Sequence, residues 1–146
     1  MNCQDVMTAS PVCCVPDDVV VDVARLMRAQ DIGAIPVVAD QESQRLIGML
    51  TDRDLAVRVV AEGRVPGETL VRDVMSKQPV SCLVTDVYQD ALQAMGEFQV
   101  RRIPVVDANG RLAGIIAQAD VATRLAQPST TGAIVEAISG PSNSAH

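Results

Sequence analysis

A hydroxyl and a carboxylate stand three residues apart in Gly48-Met49-Leu50-Thr51-Asp52-Arg53-Asp54, where an apolar strand gives way to a polar, helix-compatible run. If Thr51 caps that helix, Asp54 lies in its first turn, beside free backbone N–H groups and the positive end of the dipole. Such a place binds anions. A carboxylate has two oxygens and can accept from both hydroxyls of a ribose 2′,3′-diol. The pair therefore suits a nucleotide, with Asp54 for the ribose and Thr51 and the helix start for phosphate. The same spacing is also that of a capping box, in which the two side chains simply start the helix. Spacing alone leaves both readings open.

The phrase occurs twice. Gly114-Ile115-Ile116-Ala117-Gln118-Ala119-Asp120 keeps the glycine, the apolar pair and the final acid, but Ala117 stands where the threonine was. Cations show the opposite asymmetry. Arg101 and Arg102 precede Ile103-Pro104-Val105-Val106, whereas the matching place in the first copy is Gly33-Ala34. Guanidinium groups suit phosphate, and Arg53, inside the first phrase, is a third candidate. Surface arginines equally need no ligand. If the copies share composite sites, the two sites are not equivalent, and one competent site beside one weak or empty site is expected.

Both phrases belong to a tandem repeat. Asp5-Val6-Met7-Thr8 returns 68 residues on as Asp73-Val74-Met75-Ser76, as do Pro11-Val12 at Pro79-Val80, Cys14 at Cys82 and Ile35-Pro36-Val37-Val38 at Ile103 onward. From Arg45-Leu46 and Gly48 against Arg111-Leu112 and Gly114 the separation is 66, so the first copy holds two extra residues, placed in the polar segment 40–44. A hairpin loop absorbs such an insertion. Hydrophobic periodicity predicts, in each copy, a short strand (12–15; 80–84) and a helix N-capped by Asp18 or Asp86 that runs to about Gln30 or Phe98. A strand (35–39; 103–107), a turn, a second strand (46–50; 112–116) and a second helix to about Val60 or Leu125 complete it. Asn109-Gly110 reads as a two-residue hairpin turn.

The fold class is thus α/β, two β-α-β-β-α repeats over 3–62 and 69–126, joined by a linker at 61–68. In the tail, 127–146, residues 131–138 are expected to form a short docked helix. A half of about 60 residues buries too little surface to be secure alone. The halves are therefore expected to pack sheet against sheet about a pseudo-twofold axis, with a cleft between them.

Composition narrows the function. Of 146 residues 48% are apolar but only 1% aromatic (Tyr88 and Phe98), so the core must be aliphatic. A net charge of −6 argues against nucleic acid and acidic membrane surfaces as partners. The N-terminus has neither the basic region nor the apolar core of a signal peptide, and the expected location is cytoplasmic. The four cysteines show no CxxC spacing and the one histidine is His146, which disfavours a structural zinc site or a disulfide framework. Cys14 and Cys82 hold equivalent positions, either as matched core residues or as a pair that the pseudo-twofold brings together for redox chemistry. No GxSxG, P-loop, dinucleotide fingerprint or HExxH is present, so no catalytic residue is assigned and an enzyme is not expected.

The ordered set of DVMT and DVMS openings, IPVV strands, and GMLTDRD and GIIAQAD junctions resembles a tandem pair of CBS (cystathionine β-synthase) domains over about residues 3–126. In size the chain is similar to the small bacterial proteins that consist of little else. The resemblance implies a regulatory, energy-sensing module that binds an adenosine-containing ligand (AMP, ADP, ATP or S-adenosylmethionine) in the cleft, with no obligatory cofactor and no metal. It implies ribose contacts at Asp54 and Asp120, and ribose or phosphate contacts at Thr51. It implies phosphate contacts at Arg101 and Arg102, and an adenine pocket near Val12, Cys13, Ile35 and Pro36 or Val80, Ser81, Ile103 and Pro104. Ala117 departs from the pattern. The resemblance also implies a flat homodimer and an unidentified protein target. The alternative is a structural dimerisation or protein-interaction module whose cleft is ligand-free.

Overall fold

The computed structural model describes residues 1–119. Its elements run α1 (Cys3–Val6), β1 (Thr8–Ala9), α2 (Val20–Gln30), β2 (Ala34–Val38), β3 (Leu46–Thr51), α3 (Asp52–Leu55), α4 (Val71–Val74), β4 (Ser76–Lys77), β5 (Cys82–Leu83), α5 (Tyr88–Glu97), β6 (Arg102–Val106) and β7 (Leu112–Ala117). A π-helical turn, Ala56–Val60, prolongs α3, and a 3-10 turn occupies Pro66–Glu68. Asp120, the helix expected to reach Leu125 and the tail 127–146 with its helix at 131–138 lie outside the described residues.

The β-branched IPVV runs pair with the apolar start of each phrase. This gives two antiparallel hairpins, β2–β3 and β6–β7, each with a register shift at the same place, Val37/Val38 and Val105/Val106. The loop between Ala39 and Arg45 is closed by Ala39 N–H donating to the Arg45 carbonyl at 2.8 Å, and that between Asp107 and Arg111 by the equivalent bond at 2.9 Å. The first loop is two residues longer, as the change of repeat spacing requires. The second is not the expected two-residue turn but a three-residue one. Gly110 N–H bonds to the Asp107 carbonyl at 3.0 Å, Gly110 takes φ +80, and the Asp107 carboxylate accepts from Asn109 and Arg111 N–H. Asn109 is not left-handed, so the turn is a three-residue loop ending on a left-handed glycine rather than an Asn-Gly pair with both residues left-handed.

The described residues divide into two compact units whose bounds differ from those of the sequence repeats: Val12–Pro79, and Met1–Pro11 together with residues 80–119. The opening segment of each repeat folds with the other. In the first unit β4 extends the sheet to the order β2-β3-β4; in the second β1 leads the order β1-β7-β6-β5. The bonds that dock the openings are the same three, displaced by one repeat. Val20 N–H to the Thr69 carbonyl, Val71 to Asp18 and Arg72 to Pro16 in one unit correspond to Tyr88 to Met1, Cys3 to Asp86 and Gln4 to Val84 in the other. Side-chain burial follows: Val71 and Val74 are fully buried beside Val20, Val23, Ile35 and Leu50, and Val6 beside Ala91, Met95, Ile103 and Ile116. Each buried Val, Ile or Met contributes about 1.5–3 kcal/mol. The cores are aliphatic, as composition demands, and Phe98 is exposed.

Two further expectations are corrected. Asp18 and Asp86 do not cap α2 and α5, whose N-caps are Val19 and Val87. Their carboxylates reach back to Val15 N–H at 3.0 Å and Leu83 N–H at 2.8 Å. Those two N–H groups face away from β2 and β6, to which Cys14 and Val84 N–H donate instead. The predicted strands 12–15 and 80–84 shrink to a single bridge, Cys14 beside Val37, and to β5; in the first copy the residue equivalent to Val84 is Pro16, which cannot donate to a ladder. Both long helices end alike: Asp31 (φ +54) and Gln99 (φ +55) turn left-handed, and Ile32 and Val100 N–H reach back to the Met27 and Met95 carbonyls at 3.0 Å.

Candidate functional site

The Thr51–Asp54 junction is set by a close approach of strands. Between β3 and β4, Gly48 has no room for a side chain: a Cβ would stand 2.8 Å from the Ser76 carbonyl and 3.1 Å from the Met75 sulfur. At Gly114 it would meet the Met7 sulfur at 2.5 Å and the Thr8 carbonyl at 2.7 Å. The glycine that opens each phrase is there because a DVM[ST] segment crosses it.

Three residues after Gly48, β3 delivers Thr51 in extended conformation and α3 starts. The capping box is formed in full. Thr51 Oγ1 accepts from Asp54 N–H at 3.1 Å, and Asp54 Oδ2 accepts from Thr51 N–H at 3.0 Å. Asp54 is only 8% exposed. Its other neighbours are ones that sequence reasoning missed. Ser76 Oγ lies 3.3 Å from Oδ1 and 3.5 Å from Oδ2, and Arg58 Nε lies 3.8 Å from Oδ1. Arg58 also donates through Nη1 to the Val74 and Met75 carbonyls, at 3.2 and 3.1 Å. One connected network thus joins the phrase, the π-helical turn and the DVMS segment. A signal existed in the i,i+4 spacing of Asp54 and Arg58, and in the hydroxyl that closes both DVMT and DVMS. Arg53 is exposed on the same turn.

In the other unit the cation and the missing hydroxyl face one another. Arg102 pairs directly with Ala117 across β6–β7, just as Ala34 pairs with Thr51 across β2–β3. Arg101 and Arg102 are half-buried, and the Arg101 carbonyl accepts from Gln118 N–H at 2.9 Å. Of the residues assigned to an adenine pocket, Ile35, Pro36, Ile103 and Pro104 are buried in β2 and β6, with Ile35 and Ile103 fully inside their cores. Val12 and Ser81 are exposed, Cys13 and Val80 half-buried. Cys14 N–H bonds to the Pro36 carbonyl at 3.0 Å, so the segment bearing Val12 and Cys13 runs beside β2. Cys82 does the same beside β6, its thiol 3.9 Å from the Pro104 carbonyl.

Cys14 and Cys82 are buried, each in the core of its own unit. Burial pushes the Cys14 thiol up to about 12 and raises that of Cys82 as well. Such thiols are poor nucleophiles at neutral pH. Among the described residues no three His, Cys, Asp or Glu side chains gather to hold a metal ion, and no helix is long and apolar enough to cross a membrane.

Comparison with known proteins agrees with the fold. The family model of the CBS domain matches residues 3–61 and again 71–127. The CBS domain-containing protein YhcV of Bacillus subtilis is 40% identical over 136 residues, 93% of this chain and 94% of its own. The crystal structure of Hypoxic Response Protein I with two coordinated zinc ions superposes with a TM-score of 0.76 at 34% identity, covering 84% of this chain and 98% of that one. That of CBSX2 in complex with AMP does so with a TM-score of 0.73 at 26% identity, covering 85% and 95%.

Proposed function

Because the chain belongs to the CBS domain family, we propose that it is a regulatory, non-catalytic module that binds an adenine nucleotide of the AMP, ADP or ATP class at the Thr51–Asp54 junction. The observation that carries the reading is the Asp54 carboxylate, 8% exposed, held by backbone at a helix start with Oδ1 turned toward hydroxyl and guanidinium groups. A buried acceptor of this kind suits a ribose hydroxyl. The AMP bound by the similar CBSX2 supports the ligand class. In this reading Thr51 and Arg53 approach ribose or phosphate. Backbone around Val12, Cys13 and Pro36 receives the adenine. Arg101 and Arg102 with Asp120, Val80, Ser81 and Pro104 make the second, weaker site.

The test is thermal unfolding of wild type, Asp54→Ala and the cap-preserving Asp54→Asn with AMP, ADP, ATP, S-adenosylmethionine or Zn²⁺. A ligand at about 100 times its Kd adds about 2.7 kcal/mol, a rise in Tm of roughly 5–10 °C for a chain of this size. One adenosine ligand should give that rise in wild type and not in the variants. Equal rises in all three proteins would remove Asp54 from the site.

A second reading, a homodimerisation or protein-interaction module, is favoured by one observation: Val57 and Val60, on the turn after α3, are 49% and 73% exposed. No adenosine ligand would shift the Tm of such a protein, and sedimentation would show a dimer that Val60→Lys dissociates.

A further inference from the structure

We propose that Ser76 is an internal stand-in for the ribose hydroxyl, and that nucleotide capture releases it from Asp54 and so loosens the DVMS strand. The proposal rests on the reading of Asp54 as a ribose acceptor and adds how occupancy is reported. Asp54 Oδ2 is committed to Thr51 N–H at 3.0 Å, a bond that the helix start requires. Among the described residues Oδ1 has no backbone donor; it faces the Ser76 hydroxyl at 3.3 Å and Arg58 Nε at 3.8 Å. Both contacts are long for hydrogen bonds to a carboxylate. An incoming hydroxyl at ordinary distance makes a better donor to the same lone pairs, and Ser76 must then turn away.

What Ser76 is attached to gives the exchange a consequence. It lies on β4, a two-residue edge strand paired only through Gly48 with Lys77 and Met49 with Ser76. The two carbonyls just before it, Val74 and Met75, are held by Arg58, which itself leans on Asp54. A change at the carboxylate therefore reaches β4 by two routes, the serine hydroxyl and the arginine. From β4 the chain passes directly, through Pro79, into the other unit. The three polar partners recur at equivalent places in the sequence, Ser76 as Thr8, Asp54 as Asp120 and Arg58 as Arg124.

The experiment is calorimetric titration of AMP into wild type, Ser76→Ala, Ser76→Thr and Asp54→Asn, with hydrogen exchange at residues 75–77 measured with and without AMP. Losing a competing hydrogen bond should tighten AMP binding to Ser76→Ala about three- to tenfold. Ser76→Thr, which keeps the hydroxyl, should stay within about twofold of wild type. AMP should speed exchange at 75–77 in wild type and speed it less in Ser76→Ala, where only the Arg58 route remains, a ligand-dependent difference that a purely structural serine would not produce. Equal or weaker binding by Ser76→Ala, with binding still lost in Asp54→Asn, would overturn the stand-in and leave the ribose site in place. Unchanged binding in Asp54→Asn, or none in wild type, would overturn the site and this inference with it.

Discussion

The closer of the two strand crossings at glycine is that of Thr8 over Gly114, and it predicts a large effect from one methyl group. In Gly114→Ala the new Cβ would lie 2.7 Å from the Thr8 carbonyl and 2.5 Å from the Met7 sulfur. The sulfur and the Met7 Cγ before it, at 2.8 Å, belong to a flexible side chain that can swing aside. The carbonyl belongs to β1, which must retreat by about 0.7 Å to reach ordinary contact at 3.4 Å. Retreat strains the Thr8–Ile115 and Ala9–Gly114 pairings and lifts the fully buried Val6 from its core. Overpacking of this kind costs about 1–3 kcal/mol, and a weakened backbone bond adds about 0.5–1.5 kcal/mol. A loss of roughly 2–4 kcal/mol, or about 5–12 °C in Tm, follows. Gly96→Ala is the matched control. It lies exposed within α5, nothing approaches its Cβ position within 4 Å, and its φ is ordinary. There the same methyl group should stabilise by about 0.8–1 kcal/mol, the helix-propensity difference between the two residues. Urea unfolding followed by far-UV circular dichroism measures both. A Gly114→Ala protein within about 0.5 kcal/mol of wild type would refute the crossing, since a surface substitution without consequences falls in that range.

Two other outcomes are expected. Gln99 holds φ +55 after α5 at a position that glycine normally fills, so Gln99→Gly should raise stability by about 0.5–1 kcal/mol in the same urea assay, and a decrease would contradict the left-handed turn. Cys14 has a folded-state pKa raised by burial to about 12, against an unfolded value near 8.5. Its contribution to stability is complete below the unfolded value and is lost as pH rises toward the folded one. Compared with Cys14→Val in reducing buffer, wild type should therefore lose up to about 1.4 kcal/mol per pH unit above pH 9; parallel curves for the two proteins would argue against a desolvated thiol.

What the sequence disclosed was whatever repeats. The change of spacing from 68 to 66 located the longer hairpin loop between Ala39 and Arg45, because an insertion moves every later residue by the same amount. The capping box was legible because its two partners are three residues apart. Ser76 was not legible as a partner of Asp54, because the two stand 22 positions apart and no periodicity reports a contact at that distance. For the same reason the exchange of opening segments was hidden. A segment that packs on the neighbouring repeat looks, in sequence, like the start of its own. Asp18 and Asp86 misled by being right for two roles, since the oxygen that caps a helix can equally accept from the N–H three residues before it.

The exchanged opening also orders events in time. Thr8 is made well before its strand partner, Ile115. During synthesis the unit Val12–Pro79 has every partner it needs once Pro79 emerges, and can close while the rest of the chain is still being added. Met1–Pro11 must wait through that whole interval with Cys3 and Val6, both fully buried at the end, uncovered. Joining β1 to β7 closes a loop of about a hundred residues, a slow, entropically costly step. The segment Met1–Pro11 is thus made before the unit Val12–Pro79 and sealed after it.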